Sequence, residues 1–136
     1  YGKTFSTLGK TLDPITQDSC AFYERTAIFA DYDGVANGPQ EGINISKALA
    51  DKDFLILQNH GILTTGSMID TTIWYFLNME DACKSQLIAE SVGKPIKIPH
   101  DVACNTRDYV ANDLSAFVSL QPLLDLLWEE EKDFLD

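Results

Sequence analysis

The sequence predicts an α/β layered domain, in which helices pack on a small sheet. Short apolar runs that suit buried strands alternate along the chain with amphipathic stretches that suit helices. The chain has 136 residues, of which 45% are hydrophobic and 10% aromatic, as in ordinary globular proteins. The alternation indicates the fold class, and the length is that of a single domain.

The first predicted elements are a helix, a strand and a second helix. An Asp-Pro pair suits the cap and the first position of a helix over residues 15–25. Residues 26–32 are apolar and rich in strand formers, and the Asp-Gly pair that begins at Asp33 is a turn signal. A short amphipathic helix is predicted over residues 42–50.

Two short strands and one long helix follow. Phe54–Leu57 is an apolar run between polar residues, and residues 62–65 resume as a second strand. Ser67, with an acidic residue three positions later, has the capping-box pattern that starts a helix, and Gly93 suits its end. The residues predicted to form its buried face are Ile69, Ile73, Leu77, Cys83 and Leu87, and Glu80 falls on the same face.

The last part of the chain is predicted to be a helical tail. Residues 108–120 and 122–135 have amphipathic patterns, and the second stretch carries an acidic run. We therefore divide the chain into a main domain over 1–104 and a tail over 105–136. The apolar faces of the tail predict packing on a partner surface or on another subunit.

Charge and cysteine content exclude several classes of function. Ten Lys and Arg against twenty-one Asp and Glu give a net charge of −11, which opposes non-specific binding to nucleic acid or to an anionic membrane. No apolar run approaches the ~20 residues of a membrane-spanning helix. Three widely spaced cysteines suit a reducing compartment better than a disulfide framework, so a cytoplasmic location is predicted.

The beginning of the chain has the character of sequence from inside a domain. The first residue is Tyr1 rather than methionine, and Lys, Thr and Phe follow shortly. We expect the chain to be a piece of a longer protein, or a protein that lacks the first part of its fold.

The segment that carries most chemical information is the turn between the two middle strands. His60, between Asn59 and Gly61, is expected at the end of a strand, where the backbone can approach a ligand closely. A histidine that only caps the turn is the alternative. A zinc site needs at least three protein ligands, and the only other histidine, His100, lies beside a proline and is predicted to be on the surface. By residue count alone, this chain does not build a strong metal site.

Other polar and nucleophilic residues admit structural interpretations. Cys20 and Cys83 fall on apolar helix faces and are predicted to be core residues. Glu80 is predicted to be a buried, hydrogen-bonded carboxylate or a partner of a neighbouring element, because burial of an unpaired charge is costly. Tyr32 and Asp33 lie where a strand ends and could contact a ligand or simply form the turn.

The motifs together resemble the class II aldolase/adducin family. The resemblance rests on Gln58-Asn59-His60-Gly61-Ile62-Leu63, on the long helix through Trp74 and Glu80, and on upstream blocks at 13–17 and 27–34. It covers roughly residues 1–100. It implies a three-layer α/β/α sandwich around a mostly antiparallel central sheet, incomplete here at its N-terminus. It also implies a homo-oligomer, usually a tetramer.

The resemblance further implies a metal site. Active members hold Zn²⁺ or a similar divalent ion with three histidines, polarise a substrate carbonyl and move a proton through a glutamate. His60 matches the third metal ligand, with Asn59 and Gly61 supporting the turn. The other two ligands form a His-x-His pair that precedes a segment similar to Tyr1-Gly2-Lys3, and the glutamate lies further upstream. Tyr32 is near the position of a catalytic tyrosine at a subunit interface.

These expectations lead to one main hypothesis and two alternatives. The parent protein is interpreted as a divalent-metal-dependent lyase that cleaves a small hydroxy-carbonyl or sugar-phosphate substrate by a retro-aldol reaction. This chain alone supplies one ligand and is expected to bind zinc weakly and to be inactive. An adducin-like interaction module that binds actin and spectrin is the first alternative, since fold does not determine function. An incomplete domain without activity is the second.

Overall fold

The computed structural model describes residues 1–31, 34 and 38–131. Five α-helices, a short 3-10 helix and three strands form this part of the chain. None of the described helices is long and apolar enough to cross a membrane. In chain order the elements are α1 Gly2–Ser6, the 3-10 helix Asp18–Phe22, β1 Thr26–Phe29, α2 Pro39–Leu49, β2 Phe54–Leu57, β3 Gly61–Thr64, α3 Ile69–Val92, α4 His100–Val110 and α5 Asp113–Glu130.

The three strands form one mixed sheet in the order β1-β2-β3. β1 and β2 are parallel, with Thr26 opposite Phe54, and β2 and β3 are antiparallel, with Leu57 opposite Gly61. The α/β class is confirmed, but the described sheet is mixed rather than mostly antiparallel. The reason is the connection: a parallel pair needs a crossover, here through α2, whereas a tight turn joins β2 to β3.

The core lies between the sheet, the 3-10 helix and α3. Phe54 makes edge-to-face contacts with Phe22 and Tyr75, at ring-centroid distances of 4.9 and 5.0 Å. Such pairs add about 0.5–1.5 kcal/mol to the free energy gained by burying their surface. The buried core cluster is Phe5, Leu12, Ala21, Phe22, Phe54, Ile56, Tyr75, Met79, Ala82 and Cys83.

The predicted buried face of α3 is wrong for most of its members. Ile69 is 77% exposed, and Ile73 and Leu77 are also exposed, while Cys83 is buried as predicted. The helix instead buries Thr71, Tyr75, Met79, Ala82, Cys83 and Gln86. Two of these are polar, and both have partners: Thr71 Oγ1 donates to Asp113 Oδ1, and Gln86 Oε1 accepts from Asp13 N. The spacing of apolar residues along the helix cannot predict that these two polar side chains are buried.

Several predicted helix limits also differ. The helix predicted over 15–25 is only the 3-10 turn Asp18–Phe22, because Ser19 Oγ accepts from the backbone nitrogens of Ile15 and Thr16 and holds that segment in a local turn. The helix predicted over 42–50 begins earlier, at a proline that suits the first helical position.

The predicted cap of α3 is wrong as well. Met68 occupies the N-cap position, and Ser67 Oγ instead donates to Asp113 Oδ2 at 2.7 Å.

The tail breaks at a different place from the one predicted. α4 ends at Val110 and α5 runs through Pro122, whereas the prediction placed the break just before that proline. Asn112 starts α5 because its side chain accepts from Ser115 N. Within the chain, α5 packs on α3 and α4 packs on the 3-10 helix. The predicted boundary between 104 and 105 lies inside α4, and packing of the tail on another subunit stays a prediction.

Candidate functional site

His60 lies in the tight turn between β2 and β3, and its side chain is exposed. The turn is closed by the hydrogen bond from His60 N to Leu57 O, at 2.9 Å. Asn59 adopts the left-handed conformation with φ +61, which asparagine tolerates better than most residues. Asn59 N also donates to Ser6 O, at 3.3 Å, and so ties the turn to the end of α1. The imidazole is therefore presented on a short and well-anchored segment.

Gly61 follows directly and begins β3. Its φ of +159 is rare for residues with a side chain, and a Cβ here would lie 3.9 Å from Lys3 Cγ. A Cβ at that distance makes an ordinary contact, so the backbone conformation rather than a lack of space favours glycine at this position. Asn59 and Gly61 flank His60 in the turn, and their role in supporting a site stays a prediction.

A cavity of about 210 Å³ opens beside this turn. Sequence reasoning identified His60 and Gly61, but it did not bring Lys3 or Glu80 to the same place. No local signal could have done so, because α1 and α3 are far apart along the chain. The cavity is lined by Lys3, His60, Gly61, Ile62, Phe76 and Glu80.

Glu80 is a hydrogen-bonded carboxylate at the edge of this cavity. Its Oε2 accepts from the terminal ammonium of Tyr1 at 2.7 Å, and its Oε1 accepts from Gly2 N at 2.8 Å. Burial opposes ionisation of Glu80, but the hydrogen bonds from these two nitrogens outweigh it and lower the pKa of the carboxyl. The ionised side chain joins α3 to the start of α1.

Gly2 makes this junction possible. A Cβ at this position would lie 2.6 Å from Glu80 Oε1 and 3.0 Å from two carbons of Ile62. A side chain here would force the Glu80 carboxylate and Ile62 to shift, so glycine lets α1 approach both α3 and β3 this closely. Lys3, the next residue, is thereby held at the cavity.

The other predicted residues have varied positions. Tyr32 and Asp33 lie outside the described residues. His100 is on the surface, as predicted. Cys20 and Cys83 are buried, also as predicted, and burial, with a contribution from Glu80, raises the pKa of the Cys83 thiol to about 12. Across residues 1–31, 34 and 38–131, His60 belongs to no group of three side chains that could hold a metal ion.

An apolar groove of about 420 Å³ adjoins the cavity and shares Ile62 and Phe76 with it. The exposed side chains of Ile73 and Leu77, which were predicted to be buried, form part of its wall. The groove runs between β3, which is an edge strand of the described sheet, and α3. Two of the apolar residues that the helix pattern predicts as core, Ile73 and Leu77, therefore face this groove.

Comparisons with known proteins agree with this fold. The sequence profile described as the Class II Aldolase and Adducin N-terminal domain matches residues 1–87. The chain is 37% identical over 123 residues to "Decarboxylase NovR" of Streptomyces niveus, covering 90% of the chain and 46% of that protein. It is 36% identical, over 90% of the chain and 44% of the relative, to the "4-hydroxy-3-prenylphenylpyruvate oxygenase/4-hydroxy-3-prenylbenzoate synthase" of Streptomyces roseochromogenus subsp. oscitans.

A solved structure is similar over nearly the whole chain. It is described as "L-fuculose 1-phosphate aldolase from Glaciozyma antarctica PI12", and it matches with a TM-score of 0.85 and 35% identity. The match covers 98% of this chain and 50% of the aldolase. The chain thus spans about half the length of the relatives it matches. Sequence and fold agree, and the chain belongs to the class II aldolase and adducin family.

Proposed function

We propose that this chain carries one part of the active site of a divalent-metal-dependent lyase, with His60 as a metal ligand. The observation that supports this most directly is the exposed imidazole at the anchored turn, beside a cavity that also contains a lysine and an ionised glutamate. The reaction is retro-aldol cleavage of a small hydroxy-carbonyl or sugar-phosphate compound. The whole protein is a cytoplasmic homo-oligomer, for which the family suggests a tetramer.

The turn supplies one of the three protein ligands that a catalytic zinc site needs. A neutral imidazole is a good ligand for zinc and similar ions, and the His60 ring is accessible. A site with three protein ligands needs two more, which we place outside this chain in the longer protein. A divalent ion held there would supply Lewis-acid polarisation of the substrate carbonyl.

The residues of this chain then have separate tasks. Asn59 and Gly61 fix the direction of the His60 imidazole through the geometry of the turn. The ammonium of Lys3 is available to bind an anionic group of the substrate, such as a phosphate or carboxylate. Glu80 acts through α1: because its carboxylate accepts a hydrogen bond from Gly2 N, it helps to keep Lys3 at the cavity and is a positioning residue.

The test uses the longer natural protein that contains this chain, with His60→Ala as the variant. We expect the variant to lose at least about 100-fold in the rate of aldehyde release from L-fuculose 1-phosphate. Loss of a residue that only hydrogen-bonds a metal ligand costs about 10–100-fold, and loss of the ligand itself should cost more. Gln40→Ala is the control, since Gln40 is polar, exposed and does not line the cavity. An active His60→Ala protein would remove the basis of the proposal.

The names of the relatives require a second assay. One is named a decarboxylase and another an oxygenase. Carbon dioxide release and oxygen consumption with 4-hydroxy-3-prenylphenylpyruvate separate these reactions from retro-aldol cleavage. If only those activities depend on His60, the metal-ligand role stands and the retro-aldol reaction is wrong.

An adducin-like interaction module is the alternative. The family description includes adducin, and in that interpretation His60 only closes a turn while the domain binds actin or spectrin. Co-sedimentation of the longer protein with actin filaments, together with absence of bound metal, would favour this alternative.

A further inference from the structure

A second group of potential metal ligands lies away from the cavity of His60. It consists of Glu24, in the turn between the 3-10 helix and β1, and of His100 and Cys104 on α4. Carboxylate, imidazole and thiol are the three side-chain types that zinc binds in proteins. None of the three residues lines the cavity beside His60.

Distances among the three side chains are close to those of a coordination sphere. Glu24 Oε1 lies 3.6 Å from His100 Nδ1, Cys104 Sγ lies 3.9 Å from the same nitrogen, and Glu24 Oε2 lies 3.8 Å from Cys104 Sγ. Around a tetrahedral zinc ion, ligand atoms are about 3.3 Å apart for nitrogen and oxygen and about 3.5 Å apart when one is sulfur. Each of these three separations exceeds the tetrahedral value by about 0.3–0.4 Å, with Glu24 Oε1 near the imidazole and Glu24 Oε2 near the thiol.

Local structure brings these groups together. His100 is the first residue of α4, and Cys104 follows four positions later, so both lie on the same face of the helix. α4 packs on the 3-10 helix, which ends just before Glu24. The backbone of Glu24 has φ +60, an uncommon conformation for a glutamate, at the point where the chain turns toward β1.

Two neighbours bear on metal binding at this place. Arg107 Nη1 lies 3.6 Å from Glu24 Oε2, which orients the carboxylate but also places a positive charge nearby. Tyr23 Oη contacts His100 Nδ1 at 3.2 Å, and ligation through that nitrogen would replace this contact. With an ionised Glu24 and a Cys104 thiolate as ligands, two negative charges outweigh the one guanidinium and favour a divalent cation.

We propose that Glu24, His100 and Cys104 bind one Zn²⁺ ion, with the fourth position taken by water. Binding transfers the thiol proton of Cys104 to the buffer and forms a bond between zinc and sulfur. The open fourth position is typical of sites that react or exchange ligands rather than of closed structural sites.

The proposal is tested by titrating the chain with Co²⁺ as a spectroscopic substitute for Zn²⁺. We expect about one equivalent to bind with the near-ultraviolet charge-transfer absorption of a cobalt–thiolate bond. Cys104→Ser should abolish that absorption, and His100→Ala and Glu24→Gln should each weaken binding more than about tenfold. Asp101→Asn is the matched control, because Asp101 is an exposed carboxylate on the same helix and outside the group.

A second measurement guards against variants that fold poorly. Zn²⁺ should protect Cys104 of the unaltered chain from alkylation, as mass spectrometry of its peptides can show. His60→Ala should keep the cobalt–thiolate absorption, so the two sites are tested independently. Absence of that absorption in the unaltered chain would overturn the proposal. So would His100→Ala and Glu24→Gln variants that bind Co²⁺ as tightly as the unaltered chain does.

Discussion

At the scale of single residues, the position of Gly2 has little room for a side chain. A methyl group there would meet Glu80 Oε1 at 2.6 Å and Ile62 at 3.0 Å. We expect Gly2→Ala to lower the free energy of unfolding by about 1–3 kcal/mol, the usual range for overpacking.

Gly42 offers the matched comparison. It lies inside α2, and a Cβ at this position would have nothing within 4 Å. Gly42→Ala should therefore stabilise the chain by about 0.5–1 kcal/mol, since alanine is the better helix former. Urea unfolding of both variants measures the two effects. A Gly2→Ala variant as stable as the unaltered chain would show that the contact among α1, α3 and β3 is loose.

Glu80 should make stability depend on pH in the acid range. Because its pKa is lower in the folded chain than its ordinary value, its contribution is fully present above the ordinary value. The contribution is lost as the pH falls through the depressed pKa. In urea unfolding between about pH 5 and pH 3, the stability difference between the unaltered chain and Glu80→Gln should therefore shrink.

The control for this titration is Glu41→Gln, because Glu41 is a half-buried carboxylate in the first turn of α2, away from Glu80. The free energy of unfolding of Glu41→Gln should change with pH in the same way as that of the unaltered chain. A stability difference for Glu80→Gln that stays constant between the two pH values would contradict the role given to the carboxylate.

At the scale of elements, the two long helices begin in contrasting ways. Asn112 caps α5 by accepting from Ser115 N at 2.9 Å, whereas Met68, at the same position of α3, makes no side-chain cap hydrogen bond. We expect Asn112→Ala to cost about 0.5–2 kcal/mol of stability and Met68→Ser to add a smaller amount. Thermal unfolding measures both effects, and an unchanged Asn112→Ala variant would contradict the assigned cap.

Local patterns predicted some elements well and missed others for physical reasons. β2 has the predicted limits, Phe54–Leu57, because a four-residue apolar run between polar residues is a local signal. The cap of α3 was missed because the Ser67 hydroxyl bonds to Asp113, which is 46 residues away. The buried face of the same helix was misjudged because Thr71 and Gln86 become acceptable inside only through such distant partners.

The candidate site also has one part that local sequence predicts and one part that depends on contacts between distant residues. The turn at His60 could be predicted because asparagine, histidine and glycine stand together in the sequence. The presence of Lys3 and Glu80 beside it could not be, since the bond between Gly2 and Glu80 joins residues 78 positions apart. The group of Glu24, His100 and Cys104 was missed for the same reason, as the turn at Glu24 is remote from α4 in sequence.

At the scale of the whole molecule, the described sheet is small and has two edges. β1 and β3 each pair on one side only among the described strands, and the apolar groove adjoins β3. Uncovered edges and apolar grooves favour association with further chain. The Streptomyces niveus relative and the solved aldolase are about twice as long as this chain, which fits a site completed from outside it.

The central claim is that His60 is one ligand of a metal site in the longer protein. The most direct test is the metal content per chain of that protein, measured by mass spectrometry with Cys104→Ser present throughout to remove the second proposed site. We predict about one divalent ion per chain, lost when His60→Ala is added. Metal content that is unchanged by His60→Ala, or zero in both proteins, would contradict the claim.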